Sequence, residues 1–228
     1  MKIFAISDVH SCTKAFESAS ELMYDSDIII ISGDLTKKGT RKEALEVLSH
    51  IERHNNNIIA VHGNIDRSEV MDILEEKGYN LHERGRVIKG IGFFGVGGSS
   101  PTPINTPTEY SEEKIMEFLK KGYDVVKDTN TTILVTHAPP RWTRDRTFMG
   151  LRGGSKSVNK FMRKNPIDLC IAGHIHEADG VENLDFGIVA NPGSFKRGKF
   201  LTIDIDESIS IQRGKIKYNN ITIHPHCY

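Results

Sequence analysis

Apolar positions in the first third of the chain switch repeatedly between two periods. Short aliphatic runs at Lys2–Ser7, Asp27–Ser32 and Asn57–His62 read as strands, the second one buried. Between them apolar residues recur at helical spacing. Thr13–Met23 places Ala15, Phe16, Ala19, Leu22 and Met23 on one face, and Lys42–His54 does the same with Ala44, Leu45, Leu48 and Ile51. Ser68–Lys77 reads as a third helix, ended by Gly78. This alternation predicts βαβ units and a central, largely parallel sheet.

Further along the pattern changes. Arg86–Val96 reads as two short strands turning near Gly90, and Thr102–Pro107 as a proline-rich loop. Ser111–Lys121 is an amphipathic helix capped by Ser111, with Glu112 and Glu113 in the first turn where they suit the helix dipole. Thr131–Thr136 is a β-branched strand, Ser155–Lys164 a helix stopped before Pro166, and Ile167–Ala172 another strand. From Lys199 to His224 apolar and polar residues alternate around Arg213-Gly214, which predicts a terminal antiparallel ribbon. No repeat, linker or low-complexity segment interrupts the chain, so one domain over residues 1–228 with two sheets is the expectation.

Composition changes this picture little. Apolar residues at 38% and charged residues at 26% suit a globular protein with a core. Thirty basic residues balance thirty acidic ones, which argues against a general nucleic-acid or membrane-binding face while leaving room for a local patch. The opening MKIFAISDVH reads as a strand and not as a secretory signal, and no apolar run approaches a membrane span. Three widely spaced cysteines, Cys12, Cys170 and Cys227, read as free thiols of a reducing cytosol, with Cys12 close enough to His10 to lie near a metal.

The chemistry gathers at strand ends. The runs end in Asp8-Val9-His10, Gly33-Asp34, Gly63-Asn64-Ile65-Asp66, His137 and Gly173-His174-Ile175-His176. In open α/β sheets the carboxyl edge is where ligands bind, so five polar strand ends converge on one crevice. Alternate residues of an extended segment share a side, which brings Asp8 and His10 to one ion, and His174 and His176 likewise. Mixed imidazole and carboxylate donors suit a first-row metal pair, and the two oxygens of Asp34 can bridge ions about 3.5–4 Å apart. Each piece alone is a common accident; the ordered set is not.

That ordered set resembles the calcineurin-like metallophosphoesterase superfamily, whose pattern runs D-x-H, G-D, G-N-H-D/E, H, G-H-x-H. The resemblance spans residue 1 to about 205 and includes Asn191-Pro192-Gly193-Ser194, similar to a segment of the small bacterial and archaeal phosphodiesterase-type members. It implies the metallophosphatase fold: an α/β, four-layer αββα sandwich of two mixed β-sheets flanked by helices. It implies two divalent ions, manganese first, with iron, zinc or nickel as alternatives. Asp8, His10, Asp34 and His176 would hold one ion, and Asp34, Asn64, His137 and His174 the other. A hydroxide bridging them would attack phosphorus in line.

One residue departs from the family. Where its third motif has histidine after asparagine, this chain has Ile65. Isoleucine can neither stabilise the transition state nor protonate a poor leaving group. The small family members that lack this histidine resemble phosphodiesterases more than monoesterases, so the resemblance implies phosphodiesters as substrates ahead of monoesters. His62 or Arg67 could replace the missing acid, and Asp66 could support the site or cap the following helix. Beyond His137, the cations Arg141, Arg144, Arg146, Arg152, Lys156, Lys160, Arg163 and Lys164 face only Asp145. Arg141 and Asn64 are candidates for gripping the phosphate, and Trp142 for stacking on a base or anchoring the loop. The expected partner is a small phosphate ester, with neither membrane nor nucleic acid; a homodimer is compatible with the sequence. The rivals are a nucleotide phosphatase and a non-catalytic scaffold like the family's retromer subunit, which binds partner proteins through a degenerate site.

Overall fold

Alternation within each central strand sends successive side chains to two different apolar layers. In the computed structural model, which describes residues 1–217 and 220–225, β1 (Lys2–Ile6) turns Ile3 and Ala5 one way and Phe4 and Ile6 the other. Ile28 and Ile30 of β2 (Ile28–Ser32) and Ile59 and Val61 of β3 (Ile58–Val61) join the first set. Strands buried on both faces read as continuous aliphatic runs, which is what these segments are.

The first helices cover the outer face of this sheet: α1 (Ser20–Tyr24), α2 (Arg41–Glu52) and α3 (Ser68–Glu76) pack around Phe4, Ile6, Ile29 and Ile31. A second sheet is built from β4 (Gly85–Ile88), β5 (Ile91–Val96), β6 (Thr131–Thr136), β7 (Leu169–Ile171), β8 (Gly180–Leu184) and β9 (Gly187–Asn191). Its inner face supplies Phe93, Ile133, Val135, Leu169 and Ile171 to the layer shared with the first sheet. On its outer face Phe94, Leu134, Cys170 and Val189 pack under α4 (Glu112–Val126) and α5 (Lys156–Met162). The chain closes with β10 (Lys199–Ile205), β11 (Ile209–Lys217) and β12 (Asn220–Pro225). Strand order is β12-β11-β10-β1-β2-β3 in one sheet and β4-β5-β6-β7-β9-β8 in the other. β1, β2 and β3 run parallel, as do β5, β6, β7 and β9, while the outer strands run antiparallel. The two mixed sheets between helical layers are the four-layer αββα sandwich. Among the described residues no helix is long and apolar enough to cross a membrane.

Several sequence expectations change. The stretch from Thr13 to Ala19 forms tight turns and only Ser20–Tyr24 is regular helix, although Phe16 and Ala19 are buried as expected. Leu45 is exposed and Val47 takes its place, because the buried stripe of α2 runs Ala44, Val47, Leu48, Ile51. α4 continues past Lys121 to Val126, which packs into the outer layer. The β8–β9 hairpin escapes the periodicity because β8 carries Glu182 and Asn183 among its residues. The terminal ribbon turns at 206–208, not at Arg213-Gly214, which lies inside β11. Gly214 is there for packing: a Cβ on it would sit 2.0 Å from the Phe200 ring. Cys227 lies outside the described residues.

Candidate metal centre

The loops leaving β1, β2, β3, β6 and β7 meet at one edge, as their sequence position predicts. The backbone route differs from the extended one expected. Asp8 (φ 54), His10 (φ 48), Asp34 (φ 50) and His174 (φ 67) all adopt the left-handed conformation that ordinary residues avoid. Such residues persist where surrounding structure over-determines them, commonly at functional sites. Here hydrogen bonds do so: Asp8 N–H donates to Gly33 O (3.0 Å), His10 N–H to Asp34 O (3.0 Å) and His174 N–H to Asp8 Oδ2 (3.1 Å). Sharp turns, not strand alternation, aim these side chains together.

Two clusters result. One donor atom each from Asp8, His10 and His176 lies within 4.8 Å of the others, and the same holds for Asp8, Asp34 and His137. His176 Nε2 sits 3.0 Å from Asp8 Oδ1 and 3.1 Å from His10 Nε2. Asp34 spans the clusters, with Oδ2 3.9 Å from His10 and Oδ1 3.5 Å from His137. Asn64 joins through Oδ1, 2.9 Å from His137 Nε2. The His174 ring stands edge-on to that of His137 at 5.0 Å, outside both clusters.

The donor chemistry fits a cation. His137 Nδ1 lies 2.8 Å from the Ser32 carbonyl, an acceptor, so this nitrogen carries the ring proton of a neutral imidazole. Nε2 then presents a lone pair toward Asn64 Oδ1 and Asp34 Oδ1, which are acceptors too. Three acceptors aimed at one point need a proton or a metal ion between them. Protonation energetics agree: burial opposes the charge of Asp34, yet the adjacent His137, then His10 and the Ile65 N–H, hold its carboxyl below the usual range. Burial likewise works against a charged His137, and Asp34 outweighs it, raising that imidazole. Half-buried His174 is pushed down to about 4 by desolvation and then by the facing His137. A mixed oxygen and imidazole set of this kind holds divalent first-row ions.

Support comes from residues whose roles local pattern hides. Asp66 is fully buried and does not cap α3, whose N-cap is Arg67 with no side-chain bond. Its carboxylate accepts from Leu35 N–H (3.1 Å), Thr36 N–H (3.0 Å), Thr36 Oγ1 (2.6 Å) and Gly63 N–H (2.8 Å), tying the Asp34 loop to the Asn64 loop. Asn191 Nδ2 donates to Ile175 O (3.0 Å) and Ser194 Oγ to Asp8 O (3.0 Å), so Asn191–Ser194 joins the His174–His176 turn to the Asp8 turn. Its Asn-Pro-Gly-Ser composition at a strand end was the available signal. Gly33 (φ 99) lets β6 close in, since a Cβ there would lie 2.3 Å from His137 Nδ1.

The remaining candidates lie outside both clusters. His62 is fully buried, with Nε2 3.2 Å from Tyr110 Oη, Nδ1 without a hydrogen-bond partner, and its ring edge-on to His82 at 4.6 Å. Burial, then the neighbouring His82 and His137, keep this imidazole neutral. Arg67 is exposed on the rim of a cleft shared with Asn105, Thr108 and Tyr110. Arg141 is half-buried, its guanidinium 3.4 Å from the Arg152 carbonyl. Arg144 and Arg152 are braces: Arg144 Nη2 donates to Val181 O (2.7 Å), and Arg152 pairs with buried Asp145 at 2.6 Å. Trp142 is exposed, with the Arg141 guanidinium 6.0 Å from its ring centre. Cys12 is a half-buried free thiol outside both clusters.

Known proteins resemble this chain in sequence or in fold. An uncharacterized protein of Methanocaldococcus jannaschii is 35% identical over 197 residues, covering 84% of this chain and 88% of that one. A dimetal phosphatase from Danio rerio superposes with a TM-score of 0.68 at 10% identity, covering 100% of this chain and 99% of that one. Vacuolar Protein Sorting 29 from Cryptosporidium parvum gives 0.52 at 13% identity, covering 98% and 95%; at such identities both structures speak to the fold alone. The family model for calcineurin-like phosphoesterases matches residues 1–178, the span that runs through every strand-end motif from Asp8 to His176. With that span matched and the two-sheet sandwich in place, the chain belongs to the calcineurin-like phosphoesterase family.

Proposed function

We propose that this protein is a binuclear metal-dependent phosphoesterase that prefers phosphodiesters. The observation carrying the proposal is the convergence of His137 Nε2, Asn64 Oδ1 and both Asp34 oxygens beside the Asp8–His10–His176 cluster. Asp8, His10, Asp34 and His176 would hold one divalent ion, and Asp34, Asn64, His137 and His174 the other, with manganese the first choice for so mixed a donor set. Two such ions, when bound, bring the pKa of water toward neutrality and screen the phosphoryl oxygens. The protein's share is positional. The Ile65 and His174 N–H groups fix the Asp34 and Asp8 carboxylates, and the Ser32 carbonyl fixes the tautomer of His137. Half-buried Arg141 and the Asn64 amide are the proposed contacts for the phosphate.

The diester preference rests on Ile65. Among the described residues outside the candidate ligands, His62 and His82 are buried, His50 and His54 sit on or beside α2, and His224 lies on β12. No described imidazole outside the candidate ligands is therefore free to protonate an alkoxide leaving group, and the small family members that likewise lack this histidine resemble phosphodiesterases more than monoesterases. Free Cys12 and Cys170 accord with a cytoplasmic setting.

The test loads purified protein with manganese, measures ions per chain by elemental analysis, and compares nitrophenyl phosphate with bis-nitrophenyl phosphate. Two ions and faster diester turnover are expected. A strong monoester preference would replace the diester reading with a nucleotide-phosphatase type of activity. Absence of both metal and hydrolysis would favour a scaffold.

A further inference from the structure

The loop from Arg141 to Lys156 holds four large apolar side chains in solvent. Trp142 is 59% exposed, Phe148 92%, Met149 80% and Leu151 58%. Single exposed apolar residues are ordinary, but four on one loop mark a contact surface. The backbone beneath them is ordered by its own hydrogen bonds. Arg146 and Arg152 pair antiparallel, Thr147 N–H donates to Leu151 O (2.8 Å), and Gly150 N–H donates to Thr147 O (2.8 Å). The loop is also tied to the segment carrying His174 and His176. Phe148 N–H donates to Glu177 Oε1 (2.6 Å), Arg144 reaches the Val181 carbonyl, and Gly153 packs so closely on Ile175 that a Cβ would lie 2.6 Å from its Cδ1. Whatever covers the tip therefore borders the candidate metal centre.

Charge narrows the occupant. On a chain with 30 basic and 30 acidic residues, this loop carries Arg141, Arg144, Arg146, Arg152 and Lys156 against Asp145 alone. Arg144 pairs with Glu182 and Arg152 with Asp145, while exposed Glu177 is engaged by the loop backbone. Arg141, Arg146 and Lys156 have no acidic partner among the described residues. A second copy meeting about a two-fold axis would set this cationic loop against itself, so like charges oppose that arrangement. Phe148 stands clear of its own protein, and such a convex apolar tip flanked by arginines suits a deformable anionic medium better than a flat protein face.

We propose that the Arg141–Lys156 loop docks on an anionic lipid surface. Phe148, Met149 and Leu151 enter the boundary between headgroups and acyl chains, while exposed Arg146 and Lys156 meet headgroup phosphates. The balanced bulk charge is no obstacle, because the excess is local. Docking does not depend on the proposed hydrolysis; where both hold, phospholipid headgroups are the phosphodiesters presented to the site.

The test co-sediments the manganese-loaded full chain with vesicles of phosphatidylglycerol and phosphatidylcholine, and with phosphatidylcholine alone. Binding to the anionic vesicles only, released by high salt, is expected. The double variant Phe148→Ser/Met149→Ser should bind roughly tenfold or more weakly, while hydrolysing soluble bis-nitrophenyl phosphate as the parent does. Failure of the parent to bind, or equal binding by the variant, overturns the proposal. So does a dimer that ignores vesicles and dissociates in the variant, which would assign the loop to a second copy. Vesicle binding without hydrolysis would remove the proposed function and leave docking intact; hydrolysis without vesicle binding would remove docking alone.

Discussion

Replacing Asp66 with asparagine tests whether the site is held together by one buried carboxylate. Oδ1 of Asp66 accepts from the backbone and hydroxyl of Thr36, and Oδ2 accepts from the N–H groups of Leu35 and Gly63. Burial, then the nearby Asp34 charge, raises this carboxyl, and the Gly63 and Thr36 donors work in the opposite direction. Asparagine keeps one oxygen and turns an NH2 toward two donors. Turned toward Leu35 and Gly63 it strands two buried N–H groups, and toward Thr36 it strands one, since the hydroxyl can rotate and accept. At roughly 1–3 kcal/mol per stranded donor the destabilisation is about 2–4 kcal/mol, with nothing added for a charge that burial and Asp34 already disfavour. Because the stranded donors belong to the loops bearing Asp34 and Asn64, metal affinity should fall roughly 10- to 100-fold as well. Urea unfolding read by circular dichroism gives the first quantity, and elemental analysis after dialysis against graded manganese gives the second. Asp124→Asn, an exposed change on α4, is the control. A loss under about 1 kcal/mol with parental metal content would refute the tie.

Three further outcomes follow from the same geometry. His82, pushed down to about 4 mainly by burial, is neutral when folded and titrates at about 6.5 when unfolded. The contribution of His82 to stability should therefore be full above pH 6.5 and fall by about 3 kcal/mol as pH drops toward 4; in His82→Gln the overall fall should be shallower by that amount, and identical slopes would sink the assignment. His62→Asn should leave diester turnover within about twofold, since that imidazole is buried and faces Tyr110; a loss beyond tenfold at unchanged metal content would make His62 part of the reaction. Gly33→Ala, which drives a Cβ into His137 at a positive φ, should abolish stoichiometric metal binding, and a fully loaded variant would contradict the packing described.

The metal-site candidates were legible because each follows an apolar strand, and strand identity is a local property. A continuous aliphatic run such as Ile28–Ile31 or Ile133–Val135 reads as a strand buried on both faces without knowledge of its neighbours, and a polar residue just past such a run emerges at the sheet edge. Asp8, Asp34, Asn64, His137 and His176 were found in this way. What decides how they meet is non-local. The left-handed turns at Asp8, His10, Asp34 and His174 are held by hydrogen bonds between the crossing loops, which sequence spacing does not encode. Asp66 looks like a helix cap until the loops of β2 and β3 come together around it. Arg144 and Arg152 look free for substrate until Val181 and Asp145 claim them. Gly214 looks like a turn until the Phe200 ring covers it. The residue order thus determined which chemistry reaches the sheet edge, because periodicity fixes which face a side chain joins. Only the tertiary structure determined which groups brace the site and which remain open, because pairing partners are chosen by loops far apart in the chain.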